Sequence, residues 1–88
     1  MSSSILLTAD SLVNGDRAAS YGDARVNFSR WRDMCRATGR SGLEGITAED
    51  LAVAMICLKT CRDTTQAKED NLVDGAAYFE LWHQVRGL

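Results

Sequence analysis

The sequence contains no proline and no long apolar run. None of its 88 residues is proline, and its seven glycines collect at a few points along the chain. Because proline disrupts helices and glycine commonly ends them, this distribution favours an all-α fold. No stretch approaches the ~20 apolar residues that span a membrane, and the first residues lack the basic and apolar regions of a signal peptide. We therefore expect a cytoplasmic protein without membrane contact.

The chain is also too short for two domains of ordinary size. A domain usually holds about 100–150 residues, and 88 residues therefore correspond to one small domain. This size excludes a large catalytic cleft between domains. Apolar residues make up 45% of the chain and charged residues 25%, so we expect it to fold rather than to remain disordered. Residues 1–88 are predicted to form a single helical domain.

Histidine and cysteine are scarce. The one histidine is His83, and the three cysteines are Cys35, Cys57 and Cys61. Their spacing does not match the paired cysteines of a structural zinc site, and an odd number of cysteines cannot all form intramolecular disulfides. We therefore expect reduced thiols in the core, no zinc site and no resident cofactor.

The net charge of −2 hides an asymmetry along the chain. Between Arg17 and Arg40 there are six arginines and two aspartates, whereas the residues from Ser41 onward hold eight acids and four bases. A binder of long nucleic acid needs a basic face without equal acid nearby, so that class is not expected. Two oppositely charged segments favour contact within the fold, self-association, or a small anionic ligand at the basic segment.

Helical periodicity predicts a compact four-helix domain. The predicted helices span about residues 4–14, 24–38, 47–64 and 66–85. Gly15 and Gly39 are placed to end the first two helices. Thr47 and Asp50 resemble a capping box at the start of the third, with Asp in place of the usual Glu or Gln.

Each helix carries a stripe of apolar residues at helical spacing. These are Ile5, Leu6, Ala9, Leu12 and Val13; Ala24, Phe28, Trp31 and Cys35; Leu51, Ala54, Met55 and Leu58; and Val73, Ala77, Leu81 and Val85. The fourth helix has a second apolar surface with Leu72, Phe79 and Trp82. One neighbouring helix cannot cover both surfaces, so we expect a homo-oligomer that buries the second one.

Three charged residues stand where the apolar stripes predict interior positions. On the third helix Arg62 continues the stripe, with Lys59 at its edge, and on the fourth Asp70 and Asp74 share a stripe with Leu81. A short turn makes the two helices antiparallel, which brings these charges together. Because an unpaired buried charge is costly, they need one another, a metal or a charged ligand.

Three interpretations of this cluster remain open. The first is a structural ion pair between Arg62 and Asp74. The second is a pocket in which cations hold a phosphate, for which the planar guanidinium group is suited. The third is a Mg²⁺ site formed by Asp70, Asp74 and Glu49 or Glu69.

The loop after the first helix favours the phosphate pocket. Gly15 and Gly22 allow a ligand to approach the backbone closely, and Arg17 adds a cation. Tyr21 adds an aromatic ring and a hydroxyl donor. The loop lacks the Gly-Lys-Ser/Thr of nucleoside triphosphatases.

Several motifs together resemble a known family. They are Gly-Asp-Arg-x-x-x-Tyr-Gly over residues 15–22, Asn27-Phe28, Lys59-x-x-Arg62, and Glu69-Asp70-x-x-x-Asp74-x-x-x-Tyr78. This combination, from Leu12 to Leu81, resembles a family of small phage proteins. The resemblance implies a phage origin, the cytoplasm of an infected bacterium and an all-α fold. It implies no settled function.

A more distant resemblance is to the MazG-like nucleotide pyrophosphohydrolases. Those are all-α oligomers in which acids on two helices hold Mg²⁺ against a nucleoside triphosphate. Glu49 and Asp50 on one helix, with Asp70 and Asp74 on the next, look like a reduced version of that arrangement. Here the acids are adjacent or four apart, whereas the family pairs them three apart. The resemblance therefore implies Mg²⁺-dependent hydrolysis only as an alternative, with Glu49, Asp70 and Asp74 as metal ligands.

The main expectation is a protein that binds a small nucleotide without hydrolysing it. The chain is similar in size and helix content to the oligomeric phage proteins that sequester the nucleotide signals of bacterial immunity. The expected ligand-binding residues are Arg17, Tyr21, Gly22, Trp31, Lys59, Arg62, Asp70 and Asp74. The three cations would hold phosphate, the two aromatic rings would stack on a base, and the acids would orient the cations or bind ribose. A third possibility is a protein–protein inhibitor or assembly factor without a small ligand.

Overall fold

The computed structural model describes residues 4–15 and 22–88. Within these residues the chain forms four α-helices, which span Ile5–Asn14 (α1), Ala24–Ala37 (α2), Ala48–Thr65 (α3) and Glu69–Gln84 (α4). Over these two ranges the chain forms no β-strand. The predicted all-α, four-helix fold is confirmed, and each helix lies close to its predicted position.

Side-chain caps fix the starts of the first three helices. The Ser4 Oγ accepts a hydrogen bond from the Leu7 amide at 3.1 Å, and the Asp23 carboxylate accepts one from the Arg25 amide at 2.8 Å. At α3 the Asp50 amide donates to the Thr47 hydroxyl at 3.1 Å, while the Thr47 amide donates to the Asp50 carboxylate at 2.9 Å. The predicted capping box is therefore confirmed.

Helix α4 occupies the middle of the fold, between α3 on one side and α1 on the other. Helix α2 packs against α3 and more lightly against α4. The core has two clusters that meet at α4. One contains Phe28, Ala48, Leu51, Ala52 and Val85, and the other contains Ala9, Val73 and Ala77. The predicted core positions of Phe28, Val73, Ala77 and Val85 are confirmed.

The buried face of α3 differs from the predicted one. Leu51 is buried as predicted, but the residues buried with it are Ala48 and Ala52, whereas the predicted core residues Ala54 and Leu58 are exposed. Helix α3 carries apolar residues around most of its circumference, so its sequence alone did not distinguish the face that packs on α4. Compared with the predicted face, the observed buried face of α3 is rotated about the helix axis towards Lys59.

Two cysteines also lie outside the predicted core. Cys35 is half-buried beside the Phe28 cluster, whereas Cys57 and Cys61 on α3 are exposed. All three are free thiols. In the described part of the chain, no helix is both long and apolar enough to cross a membrane.

Candidate functional site

A cleft of about 840 Å³ opens where all four helices come together. Helix α4 supplies one wall. The end of α1, the first half of α2 and Lys59 of α3 supply the others. The α4 residues that line the cleft are Asp74, Ala77, Tyr78, Leu81 and Gln84. The cleft therefore borders the central helix and draws on each of its neighbours.

An ion pair between Lys59 and Asp74 lies in this cleft. The Lys59 Nζ is 3.1 Å from the Asp74 carboxylate, and the two side chains are 16% and 33% exposed. The predicted juxtaposition of the third and fourth helices is correct, but the cation that meets Asp74 is Lys59 and not Arg62. The rotation of the buried face of α3 explains why Lys59 and not Arg62 pairs with Asp74, because it turns Lys59 inward and Arg62 outward.

Aromatic rings line the cleft beside the ion pair. Trp31 meets the buried Phe28 edge-on, with ring centroids 5.5 Å apart, and 37% of Trp31 remains exposed. Tyr78 is half-buried in the opposite wall, formed by α4. Each side of the cleft thus offers a ring beside charged and polar groups.

Amide side chains add hydrogen-bonding capacity. Asn14, Asn27 and Gln84 line the cleft, and the Gln84 Nε2 donates to the Asn14 Oδ1 at 3.2 Å. Gly22 stands at the same cleft with φ +81°, in the left-handed region that favours glycine. The predicted site residues Arg17 and Tyr21, which precede Gly22 in the chain, lie outside the described residues.

Arg62 and Asp70 do not lie where the sequence pattern predicted. Both are exposed, and neither lines the cleft. The prediction that they occupy interior positions is therefore wrong. Arg62 belongs to the outward-turned side of α3, and Asp70 lies in the first turn of α4, next to the exposed α3–α4 connection.

The proposed Mg²⁺ ligands are also separated. The Glu49 carboxylate accepts hydrogen bonds from the Trp82 Nε1 at 2.8 Å and from the Gly87 amide at 3.2 Å. These two bonds, with that from Trp82 the stronger cause, hold the pKa of Glu49 below its ordinary value of 4.5. Asp74 is paired with Lys59, and Asp70 is exposed. Across residues 4–15 and 22–88 no three His, Cys, Asp or Glu side chains are grouped to hold a metal. In the described residues Glu49, Asp70 and Asp74 thus do not come together in such a group.

Sequence reasoning found part of this cleft. It named Gly22, Trp31, Lys59 and Asp74, which the structure brings to one place. It missed Asn14, Asn27, Gln84 and the role of Tyr78 as a wall. Tyr78 had a visible signal, because it follows Asp74 by one helical turn. Asn27 had been noted only as part of a motif, and Asn14 and Gln84 carried no comparable signal in the sequence.

Comparison with known proteins identifies a family. The model of a family described as "Domain of unknown function (DUF6378)" matches residues 4–86. The Gene 55 protein of Mycobacterium phage L5 is 45% identical over 84 residues, which cover 94% of this chain and 53% of that protein. The chain thus spans about half the length of this curated relative. No solved structure matches. The two matches support the expected phage protein family, and neither shows a MazG-like similarity.

Proposed function

The chain belongs to the DUF6378 family, and we propose that its cleft binds a small nucleotide-derived ligand without turning it over. The observation that carries this proposal is the Lys59–Asp74 pair in a cleft of about 840 Å³ with a tryptophan in its wall. Ligand pockets usually enclose about 300–1,000 Å³ and combine apolar walls with a few placed polar groups. The size and the lining residues both suit a ligand of nucleotide class.

Each cleft residue has a role that its chemistry permits. The Lys59 ammonium donates to a phosphate oxygen, and the Asp74 carboxylate accepts from a ribose hydroxyl. The exposed part of the Trp31 ring stacks on a base. Lys59 and Asp74 already neutralise each other, so the pair is held in position before the ligand arrives, which lowers the cost of ordering the site.

The engagement of nearby acids supports binding without hydrolysis. Asp74 is paired with Lys59, Asp50 caps α3, and Glu49 accepts two hydrogen bonds from the C-terminal part of the chain. These partners occupy three of the four carboxylates that a two-helix Mg²⁺ site would use, and the fourth, Asp70, is exposed on the surface. A phage protein that binds such a ligand stoichiometrically would sequester it in the infected cell, and a nucleotide signal of host defence is the class of ligand that we propose.

The proposal is tested by thermal unfolding with a panel of nucleotides, each with and without Mg²⁺. The panel contains cyclic dinucleotides, ADP-ribose derivatives and nucleoside triphosphates. A ligand at 100 times its Kd stabilises the folded state by about 2.7 kcal/mol, which shifts the Tm of a small domain by several degrees. We expect a shift that does not need Mg²⁺, with the ligand recovered intact by chromatography.

Two variants make the test specific. Lys59→Gln should abolish the shift, whereas Arg62→Gln, on the exposed side of the same helix, should retain it. Because Lys59→Gln leaves Asp74 half-buried without its cation, the double variant Lys59→Gln/Asp74→Asn controls for lost stability. If no nucleotide of the panel shifts the Tm, or if binding persists in the double variant, the Lys59–Asp74 ion pair has only a structural role.

A further inference from the structure

The lining of the cleft carries more negative than positive charge. Among its described residues the acids are Asp23 and Asp74, and the cation is Lys59. Residues 16–21, which precede Gly22 in the chain, contain one aspartate and one arginine, whose formal charges cancel. The phosphate groups of a bound nucleotide therefore share the cleft with one ammonium group and two carboxylates.

Two more acids hydrogen-bond to residues of the lining. The Asn14 Nδ2 donates to the Asp10 carboxylate at 2.8 Å, and the Gln84 Nε2 donates to the Glu80 carboxylate at 3.3 Å. The Gln84 Nε2 also donates to the Asn14 Oδ1, so the two amides form a row between two carboxylates. Because carboxylates can only accept, this row fixes the orientation of both amides. It also surrounds this side of the cleft with negative charge.

Both features of the lining that attract an anion already contact a carboxylate. The first turn of α2 reaches the cleft, and a helix N-terminus favours negative charge. Here the Asp23 carboxylate occupies that position, because it accepts from the Arg25 amide at 2.8 Å. The second feature, the Lys59 ammonium group, lies 3.1 Å from the Asp74 carboxylate. The cleft therefore has little positive charge to offer a chain of phosphates.

The charge of a phosphate depends on its bonds. We call a phosphate bridging when it is bonded on both sides to a sugar or to another phosphate, and terminal when one side is free. A terminal phosphate carries a charge of about −1.5 to −2 at neutral pH, whereas a bridging phosphate carries a single negative charge. One ammonium group balances a single charge, and any further negative charge is repelled by the carboxylates around it.

We propose that the cleft selects nucleotides in which every phosphate is bridging and discriminates against nucleoside triphosphates and other nucleotides with a terminal phosphate. Cyclic nucleotides and sugar-capped diphosphates such as ADP-ribose form the selected class. This inference rests on the proposed function and narrows its ligand. Asp23 determines the specificity, because its carboxylate adds negative charge to the lining and pairs with no cation among the described residues.

Isothermal titration calorimetry with two matched pairs of probes tests the proposal. One pair is a cyclic mononucleotide and the 5′-monophosphate of the same nucleoside, and the other is a cyclic dinucleotide and its linear, 5′-phosphorylated form. Each pair is prepared with adenine, guanine, cytosine and uracil, and EDTA removes divalent cations that would neutralise the phosphates. Where a pair binds, the bridging member should bind more tightly by about threefold or more, which is the effect of a unit charge about 6 Å from another in water.

Asp23→Asn isolates the charge of the lining from its fold. Asparagine caps a helix as well as aspartate does, so α2 keeps its start while the cleft loses one negative charge. We expect this variant to about halve the ratio between the two Kd values of a pair. Asp33→Asn is the control, because Asp33 is an exposed acid of the same helix that does not line the cleft. It changes the net charge of the protein equally and should leave the ratio unchanged.

The possible failures are distinguishable. If neither these probes nor the nucleotide panel bind, the proposed function fails and this inference fails with it. If the terminal member of a pair binds at least as tightly as the bridging one, or if only the triphosphates of the panel shift the Tm, the cleft binds nucleotides but the inference is wrong. Equal ratios in Asp23→Asn and Asp33→Asn would also overturn it, because the selection would then not depend on Asp23.

Discussion

Glu49 joins the C-terminal part of the chain to the start of α3. One carboxylate oxygen accepts from the Trp82 indole and the other from the Gly87 amide. The Arg86 guanidinium lies 5.5 Å from the centroid of the Trp82 ring on the same side of the molecule. Between these residues Val85 is fully buried in the larger core cluster. A single carboxylate thus holds the residues that place Val85 in the core.

We expect Glu49→Gln to lower the Tm at about pH 7, because an amide cannot accept at both ends. The pKa of Glu49 lies below its ordinary value in the folded state. Its contribution is therefore present above the unfolded pKa and is lost as the pH falls through the lower, folded pKa. The difference in Tm between the two proteins should narrow as the pH is lowered to about 3.

Thermal unfolding of both proteins across this pH range checks the prediction, with Glu44→Gln as the control. Glu44 is an exposed acid in the connection before α3. Glu44→Gln removes the same charge as Glu49→Gln but leaves the two hydrogen bonds of Glu49 in place. Equal effects of the two substitutions at every pH would contradict the role given to Glu49.

At the scale of a single helix, α3 shows which features follow from local sequence. Its start is fixed by Thr47 and Asp50, three residues apart, and their reciprocal hydrogen bonds need nothing from the rest of the fold. Its buried face depends on which helix packs against it. The apolar residues Ala54 and Leu58 suited a core face as well as Ala48 and Ala52 did, and packing on α4 decided between them. The start of α3 was therefore predictable from the sequence, whereas the face of α3 that is buried was not.

The capping box gives a prediction of its own. Thr47→Ala should destabilise the protein by about 1 kcal/mol, the usual cost of losing a hydroxyl cap. Urea unfolding followed by circular dichroism should show a lower midpoint with an unchanged slope. Thr60→Ala serves as the control, because the Thr60 hydroxyl bonds to the Ile56 carbonyl within α3 and caps nothing. A comparable loss of stability in both variants would show that the cap has no special role.

Because the buried face of α3 was predicted wrongly, the prediction of which α3 residues lie in the site was also affected. Lys59, Arg62 and Asp74 were all assigned to the junction of the third and fourth helices, which is correct for Lys59 and Asp74. Once the face turns by about one residue position, Arg62 points outward and Lys59 takes its place. Apart from Trp31, the contribution of α1 and α2 to the cleft was not predicted, because the packing of segments distant in sequence leaves no mark in helical periodicity.

The molecule as a whole is organised around α4, and its neighbours are held to different degrees. Helix α3 packs along α4, and the two are joined by the Glu49–Trp82 hydrogen bond near one end and by the Lys59–Asp74 ion pair further along. Helix α1 packs mainly against α4, through a small cluster of Ala9, Val73 and Ala77. Elements with few buried apolar contacts open at lower free energy than the rest of a domain. Helix α1 is therefore expected to separate more readily than α3, and its last residues form part of the cleft wall.

Hydrogen exchange followed by mass spectrometry should reveal this difference. We expect the amides of α1 to exchange faster than those of α3 and α4. Ala9→Asp places a charge in the α1–α4 contact, where Ala9 is buried, and should accelerate exchange in α1 further while α3 stays protected. Leu6→Asp alters a residue of the same helix that is 74% exposed and should have little effect. A nucleotide bound in the cleft adds contacts to the end of α1, so it should slow exchange in α1 more than in α3. Exchange of all helices at one common rate would instead show that the domain opens as a single unit, and the cleft would then have no separately mobile wall.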